Sequence, residues 1–176
     1  MKVCIVSMVG LGLLVASVVA AQTKVSGKMQ CPKPEVVGTV EAGDEAGHRL
    51  TLEKNTCPWS TPMEIVGEKS KDGTYVAFSE NSPTRASTSG TYVGNMDNGD
   101  KFFCSFHDSA AVKDGKPGVA KGTWAYTGGT GKLKGITGKG TYTVTLNEDG
   151  GGVVDVEGEY TVPAAASKKP AAQKPN

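Results

Sequence analysis

Aromatic residues are scarce, at 6% of the chain, and neither sign of charge dominates, with Lys+Arg 19 against Asp+Glu 18. The balance argues against a nucleic-acid partner, which needs a basic stripe. Helical periodicity is missing, because Gly, Pro and Thr recur too often for a 3.6-residue pattern to survive. No GxSxG, HExxH or matched carboxylate pair occurs, so familiar catalytic machinery is absent and the reading leans away from an enzyme. The cysteine spacings fit no zinc pattern, so neither a metal nor another cofactor is expected. No apolar run after residue 21 could span a bilayer.

What remains is 176 residues with 24 Gly and 38% hydrophobic content, one domain's worth of globular chain. Residues 1–21 read as a signal peptide: Lys2, an apolar stretch from Val3, and Ala20-Ala21 before Gln22. Export to a periplasmic or extracellular compartment follows. A retained anchor is the competing reading of the same apolar stretch. Residues 22–34 are polar and read as a leader. The tail from 163 to 176 is Ala, Pro and Lys without a large apolar residue, and reads as disordered. Between Glu35 and Val162, 12 basic residues face all 18 acids, so the presumptive domain is acidic and the tail basic.

Residues 35–162 alternate by two. Leu50 and Leu52 share one face of HRLTLEK. Phe102, Cys104 and Phe106 share a face of DKFFCSFHD, as do Trp124 and Tyr126 in GTWAYTG. Tyr142, Val144 and Leu146 oppose Thr141, Thr143 and Thr145, while Val154, Val156 and Tyr160 oppose Asp155, Glu157 and Glu159. Turn sequences separate these runs, among them Asp72-Gly73, Asn98-Gly99 and Asp114-Gly115. About eight one-sided strands are expected, joined as antiparallel neighbours. Closing them into an all-β barrel removes the edges, and a β-sandwich is the alternative.

Three cysteines follow residue 21. Cys31 and Cys57 each precede a proline in polar surroundings, whereas Cys104 lies mid-strand between two Phe. A Cys31–Cys57 disulfide and a buried Cys104 thiol are therefore expected. Cys104 and His107 are an odd number of residues apart on one strand, so they face opposite ways and form no nucleophile pair.

The glycine-rich stretch from Thr127 to Tyr142, TGGTGKLKGITGKGTY, fails as a phosphate loop, because no Gly stands five residues before either Gly-Lys pair. It resembles the glycine-rich turn of the allene oxide cyclase and dirigent barrels. A wider set resembles a family of uncharacterised secreted bacterial proteins expected to share that barrel. The matching pieces are Cys31-Pro-Lys-Pro, Gly47-His48, Thr56-Cys57-Pro-Trp59, Pro62-Met-Glu-Ile-Val-Gly67, Asn98-Gly-Asp-Lys101, Gly122-Thr-Trp124 and Val156-Glu-Gly-Glu-Tyr160. The resemblance implies an eight-stranded antiparallel barrel and transfers no catalytic residue.

These readings point to an exported barrel whose interior either packs solid with no cavity or binds a small, partly apolar molecule in its interior or mouth. The expected interior residues are Leu50, Leu52, Phe102, Cys104, Phe106, Trp124, Tyr126, Tyr142 and Tyr160. One alternative is a cyclase- or dirigent-like isomerase, which requires a buried ionisable group inside the barrel. Another is an envelope structural protein, oligomeric through an outer face or tethered by its basic tail.

Overall fold

The computed structural model describes residues 22–163. Eleven strands run through it: β1 (Thr23–Cys31), β2 (Glu35–Glu41), β3 (Arg49–Thr61), β4 (Glu64–Ile65), β5 (Glu68–Asn81), β6 (Arg85–Met96), β7 (Lys101–Lys113), β8 (Lys116–Pro117), β9 (Ala120–Gly129), β10 (Thr137–Leu146) and β11 (Gly152–Thr161). Eight of them close into an antiparallel barrel in the order β1-β11-β10-β9-β7-β6-β5-β3, with β3 returning to β1. The structure is a closed barrel, not a sandwich. A single 3-10 turn, Gly131–Leu133, is the only helical element among the described residues. No helix there is long and apolar enough to cross a membrane.

Segment 22–34, expected to be a leader, instead supplies β1, the strand that completes the ring. Its inward set is Val25, Gly27, Met29 and Cys31, alternating with Lys24, Ser26, Lys28 and Gln30. That set is thin in apolar bulk because Trp59 and Met63 lie against Gly27, where a Cβ would collide with both. Bulk comes from the neighbour, and the strand itself needs only alternation.

The β1–β3 seam is the shortest of the ring, pairing only Lys28 with Thr61 and Met29 with Trp59. Continuing that register places Cys31 opposite Cys57, and the two are joined by a disulfide across 4.4 Å between Cα atoms. Just above, the Asn55 side-chain amide donates to the Pro32 carbonyl at 2.7 Å. The bond thus staples the barrel where its hydrogen-bonded ladder runs out. Past this point the chain continues as β2, which pairs with β3 from Glu35–Lys54 to Glu41–Arg49 and stands above the rim.

One end of the barrel is solid. Met63, Ile65, Met96, Phe102, Leu133, Ile136 and Tyr160 are all buried there. The glycine-rich stretch builds part of this floor and cradles no phosphate. At Gly131, φ is +51°, and the Asp100 carboxylate packs where a Cβ would stand. The Lys132 amide donates to Asp100 Oδ2 at 3.0 Å, and the Lys101 amide to Thr130 Oγ1 at 2.8 Å. This turn drives Leu133 into the barrel end. The Val66 amide donates to the Tyr160 hydroxyl at 3.0 Å, tying the β4–β5 hairpin to the same floor.

Candidate functional site

Above the floor lies a cavity of about 570 Å³ that reaches the opposite end of the barrel, where exposed Val36, Arg49 and Leu146 form the mouth. Its walls carry Trp59, Tyr75, Tyr92, Phe106, Trp124, Tyr126 and Tyr142. The rings interlock edge to face: Tyr75 on Phe106 at 5.9 Å between centroids, Phe106 on Tyr142 at 6.2 Å, and Trp124 on Tyr126 at 4.8 Å. Trp59 donates its indole N–H to the Tyr92 hydroxyl at 3.1 Å, and Trp124 donates to the Glu157 carbonyl at 3.2 Å.

Phe102, Cys104, Phe106, Trp124, Tyr126 and Tyr142 line this cavity, Phe102 at its base. Tyr160 points inward too, but into the floor below. Leu50 and Leu52, expected inside, instead lie on the outer surface: Leu50 is 42% exposed, and Leu52 is the register partner of Phe78, itself 61% exposed. The inward set of β3 is Thr51, Glu53, Asn55, Cys57 and Trp59. Cys57 in the disulfide and Trp59 over Gly27 fix which face turns in. That choice carries Glu53 into the chamber and puts the two leucines outside.

Sequence reasoning therefore missed the polar part of the chamber. Glu53 and Asp108 both line it, with Tyr75, Asn55, Ser79 and Thr88 around them. Asp108, only 8% exposed, accepts a 2.6 Å hydrogen bond from the Tyr142 hydroxyl. The contact depends on a glycine. Asp108 on β7, Gly122 on β9 and Tyr142 on β10 are register partners in one row across three strands. A Cβ at Gly122 would strike the Tyr142 ring and crowd Asp108, so only glycine lets the phenol cross β9 to reach the acid.

Burial pushes the Asp108 carboxyl above its ordinary value, while hydrogen bonds from Tyr142 and Thr88 and the charge of His107 work against that shift. Burial also raises Glu53, and the negative charge of Asp108 adds to it, against hydrogen bonds from Ser79 and Tyr75. Tyr75 is pushed up to about 12, mainly by burial and then by the charge of Glu53. Tyr142 is raised for the same reason, with Asp108 as its charged neighbour. Two carboxyls that hold protons to higher pH than exposed ones can donate and accept protons within the chamber. The Cys104 thiol is free and buried, pushed up to about 12 by desolvation, so it is no ready nucleophile. His107 is exposed on the outer side of the same strand. Among the described residues no three His, Cys, Asp or Glu side chains cluster to hold a metal.

Fold and site together define a closed eight-stranded barrel with an aromatic, acid-bearing chamber open at one end. No family model matches the chain. No curated protein matches it either. Among solved structures, it is similar to a protein of unknown function from the DUF3224 family of Shewanella oneidensis MR-1, with a TM-score of 0.48 and 18% identity over 82% of this chain and 100% of that one. It is also similar to a pterocarpan synthase dirigent protein, with a TM-score of 0.42 and 14% identity over 86% of this chain and 97% of that one. Likenesses at this level say nothing of chemistry.

Proposed function

We propose that the protein is an exported barrel that binds a small, partly apolar molecule in its chamber. The observation that carries this reading is the aromatic-walled cavity of about 570 Å³ open at one end. That volume lies within the roughly 300–1,000 Å³ usual for small-molecule sites. Eight strands leave room for one such ligand. Export is supported by the Cys31–Cys57 disulfide, which persists in oxidising compartments. The signal-peptide reading of residues 1–21 and the disordered-tail reading beyond Pro163 lie outside the described residues.

Native mass spectrometry of protein purified from its source tests the binding. A small organic mass bound to the folded protein is expected, lost in Ala110→Trp, which fills the upper chamber. Its absence from the wild type, together with failure of a broad panel of aromatic compounds to bind, would reject the reading.

A second reading, an isomerase working by proton transfer, is favoured by the Asp108–Tyr142 pair and the nearby Glu53. It predicts solvent deuterium incorporated into the bound molecule by the wild type and none by Asp108→Asn. Equal incorporation by both proteins would remove it.

A further inference from the structure

The chamber's charges are one-sided. Its lining holds two carboxyl side chains, Glu53 and Asp108, and a single cation, Arg49, which is exposed at the mouth. Among the described residues the salt bridges are Lys28–Asp155, His48–Asp44, His48–Glu80 and Lys132–Glu68, so neither chamber acid is in a salt bridge, and the one cation acting on Asp108 is His107 on the outer face. Hydrogen bonds from Tyr142 to Asp108 and from Ser79 and Tyr75 to Glu53 offset part of the cost of burying these acids, but no ion pair does. The rings of Tyr75, Phe106 and Tyr142 stand beside them in an unbroken edge-to-face chain. Carboxylates next to aromatic faces are the chemistry that holds ammonium groups.

A second observation comes from deeper in the chamber. Tyr126 is 8% exposed and lines the same cavity, yet its hydroxyl has no hydrogen-bond partner. That hydroxyl has almost no accessible surface, so the chamber meets the flat ring of Tyr126 and not its oxygen. Charge nearer the mouth and flat rings below describe a molecule with a cationic head and a flat apolar body.

We propose that the chamber selects a small organic cation, a protonated amine carried on an aromatic body, with its ammonium held by Glu53 and Asp108. The proposal rests on the binding reading above and narrows it to a ligand class. Calorimetric titration with three isosteric probes separates the two. Tyramine, tyrosol and 4-hydroxyphenylacetate share a phenol and differ in head charge: positive, neutral and negative. Tyramine is expected to bind at least tenfold more tightly than tyrosol, with 4-hydroxyphenylacetate weakest. Glu53→Gln, at a half-buried position, and Asp108→Asn, which keeps an acceptor for Tyr142, should each shrink the tyramine preference. The double variant should abolish it while tyrosol still binds, which also shows that the variant is folded. Tyrosol or 4-hydroxyphenylacetate binding as tightly as tyramine would overturn the cation proposal and leave the binding reading standing. Binding of none of the three would overturn it as well, and the mass measurement would then judge the binding reading separately.

Discussion

The floor and the chamber share the barrel strands, the floor being completed by β4 and residues 131–136, and they differ in almost every physical respect. On β7, Phe102 packs at the base and Asp108 stands three inward positions higher. On β3, Trp59 packs below and Glu53 sits above. The floor is apolar and filled, with Ile65, Phe102 and Leu133 at 0–1% exposure. The chamber is aromatic, polar in patches and open. One inward face can thus pack solidly at one end and line a cavity at the other, as those of β3 and β7 do. The difference teaches that a barrel's inner residues cannot be treated as a single core.

Several substitutions can sharpen or break this contrast. The largest effect belongs to the floor. Leu133→Ala removes a buried plug that does not line the cavity, and should cost about 2–5 kcal/mol in denaturant unfolding. Ligand affinity well below the melting temperature should stay unchanged. If affinity falls in parallel, floor and chamber are not separable. Cys57→Ser comes next. It opens a loop of 26 residues at the weakest seam, and should cost about 3 kcal/mol on chain entropy alone. Hydrogen exchange should quicken first in β1 and β2; uniform quickening over the barrel would deny the seam its special place.

The chamber acids should show the opposite behaviour. Both carboxyls are raised by burial in the folded state. A raised group binds more protons folded than unfolded, so its contribution is fully present below the ordinary carboxylate value and lost as pH rises through the folded value. The protein should therefore gain stability on acidification from neutrality toward that range. Glu53→Gln with Asp108→Asn should flatten the slope without destabilising the fold at neutral pH. A slope unchanged in the double variant would place its origin elsewhere. The smallest effect expected is at the turn beneath the floor. Val66 holds φ at +53°, a conformation that β-branched residues resist. Val66→Asn should gain about 1 kcal/mol in thermal unfolding, and a loss would mean that the Val66 side chain contributes more than its backbone strain costs.

Alternation by two and the Asn98-Gly99 and Asp114-Gly115 turns make the barrel legible in the sequence, and the cysteine pair makes the disulfide so; Asp72-Gly73, expected as a turn, instead lies within β5, where Gly73 leaves room for the Tyr92 ring. The sense of β3 was harder. HRLTLEK shows two faces, and its leucines suggested the wrong one as inner, because near the mouth the inner face is the polar one. Parity held the answer: Cys57 and Trp59 are in step with Glu53, not with Leu52. Likewise, extending the Phe102, Cys104, Phe106 series by one more step reaches Asp108. Strand β1 is faint in the sequence because its inward set contains a glycine that receives a neighbour's tryptophan. The company that Glu53 and Asp108 keep was beyond reach. They come from strands that pair with different neighbours, and only closure brings their charges near each other.

Two acids, Glu53 and Asp108, line an aromatic chamber that is open at one end. Carbon-detected NMR titration of the Glu53 and Asp108 carboxyl groups tests that placement most directly. Midpoints above the ordinary carboxylate range, with tyramine shifting both signals, are the predicted result. Ordinary midpoints with no response to the amine would contradict it.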